Sequence, residues 1–149
     1  FLDRLRHIDT FVFDKTGTLT GGKLEIVHIK SFDSNISQTD LLNLAASAEE
    51  HYFHPIAKAI VEAANKRGFI HIHHDEVEFI VSHGVKTTIN KKQLIIGSRH
   101  FLEDDEKIDF SNYKNEINDK ISQNLAILYI AYDNKLIVII ALSDKIRDN

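Results

Sequence analysis

The chain has 149 residues, 43% of them hydrophobic and 27% charged, which supplies the core of one domain and argues against intrinsic disorder. Lys and Arg number 18 against 22 Asp and Glu, a formal net charge of -4, which argues against a dedicated nucleic-acid binder. The absence of Cys excludes disulfides, thiolate zinc sites and cysteine nucleophiles.

The longest apolar run, residues 136–142, is far short of the roughly 20 residues a membrane helix needs, and no signal peptide is visible. The chain begins at Phe1 and contains no Met. It is read as a piece cut from a longer protein.

Residues 9–13 (Asp-Thr-Phe-Val-Phe) read as a short buried strand running into Asp14. Residues 23–32, with Leu24, Ile26, Val27 and Ile29, read as a second strand. Ser37 or Thr39 can cap a helix whose apolar positions are Leu41, Leu44, Ala45 and Ala48. A second helix starts at His54-Pro55, because Pro at the first helical position gives up an N–H that has no partner there anyway. Ala57, Val61 and Ala64 form its inner stripe, and Gly68 ends it as the glycine after the cap. Val77, Phe79 and Val81 alternate with glutamates as a half-buried strand. Residues 85–90 and 93–96 form a hairpin around Asn90-Lys91-Lys92. Residues 98–104 suit a short helix. Tyr113, Ile117 and Ile121 mark another helix, with Ser111 as its cap. Residues 126–132, the turn Asp133-Asn134 and residues 135–142 make a strong hairpin. The fold class is α+β: an antiparallel sheet flanked by helices.

Asp14-Lys15-Thr16-Gly17-Thr18-Leu19-Thr20 directly follows the first strand. A carboxylate at a strand's C-terminal end protrudes into the crevice where open α/β sheets bind ligands. The Thr-Gly-Thr run offers hydroxyls and N–H groups to phosphate oxygens, and an aspartate there can attack a phosphoryl group. An Asp-x-Thr-Gly alone is more often just a strand followed by a polar turn. The full heptapeptide resembles the phosphorylation signature of the P-type ATPases. Three further matches follow in that family's order. Glu49 with His54-Pro55 resembles the Glu…His-Pro motif of its heavy-metal-transporting branch. Ser82-His83-Gly84-Val85 stands where that branch has Gly-x-Gly, and Ile96-Gly97-Ser98 where it has Gly-Asn.

The resemblance covers essentially the whole chain. It implies a nucleotide-binding domain at residues 22–140, inserted into an α/β haloacid-dehalogenase-like phosphorylation domain. Residues 1–21 would be a fragment of that domain and residues 141–149 the return hinge into it, with Asp144 and Arg147 in the hinge. Asp14 would be the phosphorylated nucleophile. Thr16 would offer its carbonyl to Mg²⁺ beside Asp14, and Thr18 its hydroxyl to phosphate, while Lys15 and Gly17 shape the loop. Glu49 and His54 would hold the adenine of ATP. Gly84 would let the backbone approach the nucleotide, and Gly97 and Ser98 would line the same pocket. Gly84 and Gly97 equally suit a bulge and a turn. The sequence departs from the family pattern at Ser82, Ser98 and Phe53, where the branch carries Gly, Asn and usually Glu. No Walker A pattern occurs.

The resemblance thus implies the ATP-binding cytoplasmic domain of an integral-membrane metal pump. Its partners would be ATP and the phosphorylation, actuator and membrane domains, with no nucleic acid. The transported ion would bind elsewhere in the parent protein. The family's later lysine and Mg²⁺-binding aspartate would lie after Asn149, so the chain alone is expected to bind nucleotide without turnover. Two competitors stand beside this reading. A haloacid-dehalogenase-like phosphatase shares the nucleophile, but such enzymes usually carry a second Asp where this chain has Thr16. A non-catalytic metal-binding module would use His71, His73, His74 and His83. The alternation of residues 70–74 can place His71 and His73 on one strand face, but no carboxylate–His helix pair completes a site. A solvated loop is the simpler reading.

Overall fold

A computed structural model describes residues 10, 12, 20–121 and 125–146. Of the expected strand at residues 9–13, residues 9, 11 and 13 lie outside this set. Six strands form one antiparallel sheet in the order β1-β6-β5-β4-β3-β2. They are β1 (Thr20–Ser31), β2 (Glu78–Ile80), β3 (Gly84–Ile89), β4 (Lys92–Gly97), β5 (Ala126–Tyr132) and β6 (Lys135–Ile146). Two helices, α1 (Gln38–Glu49) and α2 (Pro55–Asn65), sit between β1 and β2, and α3 (Lys114–Ile121) precedes β5.

The sheet is covered on both faces. Leu41, Leu42, Ala45 and Ala46 of α1 and Ala59, Ile60 and Ala64 of α2 pack with Val85, Ile96, Ile130 and Ile140 in one cluster. Phe101, Leu102, Ile108, Phe110 and Ile117 pack with Ile95, Tyr129, Leu136 and Ile139 in a second. Two-sided burial explains why residues 136–142 form an unbroken apolar run, since no position of that segment faces water.

In β1, Ile26 pairs with Leu142 but His28 pairs with Ala141. Val27 is therefore an extra residue, a bulge, and it is 53% exposed. The bulge flips the side-chain alternation, so that Leu24 and Ile26 before it and Ile29 after it all reach the same core. Strict alternation could not have placed them on one face.

The hairpin turns follow from left-handed residues. Asp133 (φ 53°) and Asn134 (φ 59°) join β5 to β6, and Asn90 (φ 51°) and Lys91 (φ 63°) join β3 to β4. Two consecutive positive φ angles give a type I′ turn, whose twist matches that of the strands. The second turn is the two residues Asn90-Lys91, with Lys92 already paired to Ile89.

Ser37 is the cap of α1; its Oγ accepts the Asp40 N–H at 3.1 Å. Pro55 opens α2 as expected, but the helix ends at Asn65 with Lys66 as cap, and Gly68 (φ 79°) stands two residues past it. Residues 68–77 form no strand, so the expected His71/His73 strand face does not occur. The helix expected over residues 98–104 forms at residues 99–105, with Arg99 and His100 α-helical and Phe101–Asp105 widened into a π turn. Before α3 lies a 3-10 turn, Ser111–Tyr113. Its cap position is Phe110, not Ser111, and the Asp109 Oδ1 accepts the Ser111 N–H at 2.8 Å.

β1 and β6 both run through the expected module boundaries, with Thr20 opposite Ile146 and Leu24 opposite Asp144. Asp144 is thus a partly buried strand residue.

Candidate functional site

The heptapeptide residues Asp14, Lys15, Thr16, Gly17 and Thr18, and the tail residue Arg147, lie outside the described residues. The other expected residues converge. Glu49 is the last residue of α1 and His54 immediately precedes α2. Gly84 opens β3, Gly97 closes β4 and Ser98 follows it. All five line one cavity of about 190 Å³, together with Tyr52, Ser82 and the β5 residues Ile127 and Leu128. Antiparallel pairing supplies half of this juxtaposition, because Gly84 and Gly97 are direct partners across β3 and β4. A second cleft of about 820 Å³ shares Glu49, Tyr52 and His54 and continues over Lys23, Phe53, Lys58 and Glu62. Its volume falls in the range of small-molecule sites. The three shared residues form the ridge between the two spaces.

Glu49 is only 4% exposed. Burial pushes its carboxyl up to about 7, because a carboxylate withdrawn from water without a compensating charge is costly. Among the described residues no hydrogen bond or ion pair reaches that carboxyl. The neighbouring Glu50 is more exposed and pairs with His51 and His71. Near neutrality Glu49 is divided between its two forms, and the protonated form presents a donor and an acceptor side by side.

His54 serves the backbone as well as the cavity. Its Nδ1 accepts the Ile56 N–H at 3.3 Å, capping α2, which leaves Nε2 as the protonated nitrogen of the neutral ring. The ring stacks on Tyr52 (centroids 5.7 Å apart, planes 12° apart), and Tyr52 stacks on Phe79 (5.2 Å, 24°). The result is a row of three rings, two of which, His54 and Tyr52, line the cavity. The sequence reading missed Tyr52 and Phe79. Tyr52 carried a signal, since it lies inside the Glu49–His54 motif. Phe79 carried none, since β2 reaches this point only through the sheet.

The two glycines answer first to the backbone. A Cβ on Gly84 would stand 2.0 Å from the Ile96 carbonyl oxygen, and one on Gly97 would stand 2.3 Å from that of His83. The close approach of β3 and β4 therefore requires both glycines whatever else binds there. Ser82 adopts φ 63°, the left-handed conformation that glycine takes most cheaply. Ser98 is engaged in the local fold: its N–H donates to the His83 carbonyl at 3.0 Å and its Oγ accepts the Phe101 N–H at 3.2 Å.

Among the described residues no helix is long and apolar enough to cross a membrane. A family model described as haloacid dehalogenase-like hydrolase matches residues 8–149. The chain is 34% identical over 153 residues to a copper-exporting P-type ATPase of Staphylococcus epidermidis, covering 100% of this chain and 18% of that protein. It superposes on a zinc-transporting PIB-type ATPase in the E2.Pi state with a TM-score of 0.78 and 30% identity, over 91% of this chain and 21% of the other. The catalytic domain of the CPx-ATPase CopB-B, from a structure described as showing conformational changes upon nucleotide binding, is similar over 99% of this chain and 48% of its own, with a TM-score of 0.70 and 25% identity. The chain thus spans about a fifth of the length of the curated relative. The extent of the family match and the agreement of sequence and fold place it: the chain belongs to the haloacid dehalogenase-like hydrolase family, and within it resembles the cytoplasmic domains of heavy-metal P-type ATPases.

Proposed function

We propose that this chain is the ATP-binding part of a heavy-metal P-type ATPase, the cytoplasmic portion of a membrane pump, with adenine seated on the ridge of Glu49, Tyr52 and His54. The observation that carries the reading is the convergence of Glu49, His54, Gly84, Gly97 and Ser98 on one cavity from four separate stretches of chain. The His54 ring and the Tyr52–Phe79 stack offer a flat apolar surface suited to a purine. Glu49 in its protonated form can donate to one ring nitrogen of adenine while its other oxygen accepts from the exocyclic amine. The dry setting that raises its pKa also strengthens those bonds. The 820 Å³ cleft, rimmed by Lys23 and Lys58, suits the ribose and the triphosphate.

In the whole protein a carboxylate oxygen of Asp14 would attack the γ-phosphorus in line. The bond from that phosphorus to the bridging oxygen breaks, and ADP leaves. The Mg²⁺ that such transfers use would be held by Asp14 and Thr16. Binding the base remotely from the reacting phosphorus lets domain closure set the geometry. The phosphorylation, actuator and membrane domains would act on this module, and no nucleic-acid partner is proposed. The relatives include a copper exporter and a zinc transporter, and the ion would be chosen elsewhere in the parent protein. The 149-residue chain by itself would bind nucleotide without forming a phosphoenzyme.

An amide-shift titration with a non-hydrolysable ATP analogue tests this. Perturbations are expected at Glu49, Tyr52, His54, Gly84 and Gly97. A folded chain whose cavity residues do not respond removes the assignment. Release of phosphate from a small generic ester would instead favour a phosphatase.

A further inference from the structure

The segment after α2 carries His71, His73 and His74, and the fold sorts them. His73 is exposed and stands apart. His71 and His74 are brought together, with ring centroids 5.2 Å apart, and both face Glu50 at the end of α1. One ligand-type atom from each of Glu50, His71 and His74 lies within 4.8 Å of the other two. The His71 Nδ1 is 3.1 Å from Glu50 Oε1, and His51 Nε2 approaches the same oxygen at 3.3 Å. This carboxylate comes from a residue some twenty positions earlier in the chain, where no local pattern could associate it with the histidines.

The arrangement is held in place by the backbone. The Ile70 N–H donates to Asn43 Oδ1 at 3.4 Å, and the Ile72 N–H donates to Ser47 Oγ at 2.8 Å. These two bonds pin the chain on either side of His71. Asp75 is fixed through its N–H to the Thr88 carbonyl at 2.9 Å and by the Thr87 hydroxyl, which donates to its carbonyl at 2.9 Å. The same carbonyl lies 2.6 Å from His74 Nδ1. Since a carbonyl can only accept, Nδ1 carries the proton and Nε2 the lone pair. Yet His74 Nε2 is buried with no hydrogen-bond partner. A buried nitrogen lone pair with nothing to accept is costly. A ring whose other nitrogen donates to a backbone carbonyl is the usual posture of a metal-bound histidine.

We infer that Glu50, His71 and His74 form a binding site for a borderline divalent cation of the zinc class. It would be a structural or regulatory ion of this module, distinct from any transported ion. Two imidazoles and a carboxylate are a zinc-type donor set, with water or His51 in the fourth position. Tetrahedral zinc bonds of about 2.0–2.1 Å set ligand atoms about 3.3 Å apart. Rotation of the half-exposed His71 side chain closes that distance while the partly buried His74, held through its Nδ1 by the Asp75 carbonyl, stays fixed. The ion would tie the end of α1 to residues 68–77. It would do so one residue away from Glu49, and Glu50 also lines the 820 Å³ cleft, so zinc binding is measured without nucleotide and its failure leaves the ATP reading untouched.

Zinc titration of the chain by calorimetry, together with histidine ring ¹H–¹⁵N spectra, tests the inference. One zinc is expected per chain, with the His71 and His74 resonances moving together and a rise in melting temperature. His71→Ala, an exposed substitution that leaves the core intact, should lower zinc affinity at least about tenfold, as should Glu50→Gln. His73→Ala should change nothing, and Mg²⁺ should not compete. The second exposed group, His83, His100 and Asp105, supplies the control. Zinc binding that survives His71→Ala and Glu50→Gln, that is lost with His83→Ala, or that millimolar Mg²⁺ displaces would overturn the assignment.

Discussion

Gly84 and Gly97 face each other across β3 and β4, and neither can carry a side chain. The hypothetical Cβ of each falls 2.0 Å and 2.3 Å, respectively, from a backbone oxygen of the other strand's neighbourhood. Because backbone cannot rotate away as a side chain can, Gly84→Ala and Gly97→Ala should each cost about 2 kcal/mol or more. Denaturant unfolding measures this directly. An alanine variant of unchanged midpoint would mean that these glycines serve the ligand alone.

Glu49 gives the chain a pH dependence of known sign. Its carboxyl titrates near 4.5 when unfolded and is pushed up to about 7 by burial. Between those values the folded chain keeps a proton that the unfolded chain releases, so stability falls as pH rises. The contribution is complete below pH 4.5, declines through the window and is gone above about 7, a total of about 3 kcal/mol. Glu49→Gln should remove that slope and leave a more stable protein at pH 8. Thermal unfolding of both proteins from pH 5 to 8 reads the difference, and parallel curves would show that Glu49 is solvated in the folded state.

His54 combines a backbone role with an aromatic one, and two substitutions separate them. His54→Ala removes both the cap and the ring, and should cost about 1 kcal/mol of stability as well as nucleotide affinity. His54→Asn restores a capping side chain without the ring. It should recover the stability yet still bind ATP about tenfold more weakly, in line with the loss of one base–aromatic stack. Equal ATP affinity in His54→Asn and the parent would remove the stacking role.

Lys91 and Ser82 occupy left-handed backbone conformations at φ 63°. Replacing either by glycine relieves a clash of the Cβ with its own backbone, and each variant should gain up to about 1 kcal/mol. Only Ser82→Gly, inside the cavity, should also alter nucleotide binding. A loss of stability in Lys91→Gly would show that the I′ turn is not populated.

Much of the fold was readable from local chemistry. The α1 cap (Ser37, one of two candidates with Thr39), the His54-Pro55 helix start and the Asp133-Asn134 turn each involve residues within four positions of one another, and each stands within the expectation. The bulge at Val27 was not readable, because only pairing with β6 reveals the extra residue. The helical stretch near residues 98–104 was readable, but its widening at Phe101–Asp105 was not, as that geometry is set by Ser98 and by the second core cluster. At the cavity, Glu49, His54, Gly84, Gly97 and Ser98 were named from short motifs. Tyr52 and Phe79 were not, and the strand-packing need for the glycines was invisible until β3 and β4 were laid side by side. Alternation suggested that His71 would share a face with His73. The structure instead sets it beside His74 and Glu50, since the Ile70 and Ile72 N–H groups donate to Asn43 and Ser47 and hold that stretch out of the sheet.

The pairing of β1 with β6 joins the first described strand to the last. As the nascent polypeptide leaves the ribosome, α1, α2 and the β2–β4 meander can assemble from nearby segments, but β1 must wait with its hydrogen-bonding edge open until residues 135–146 emerge. Closure of so long a loop makes that final docking the slow step of biogenesis. Chaperones would meet this module chiefly as a nearly finished sheet still missing its outermost pair.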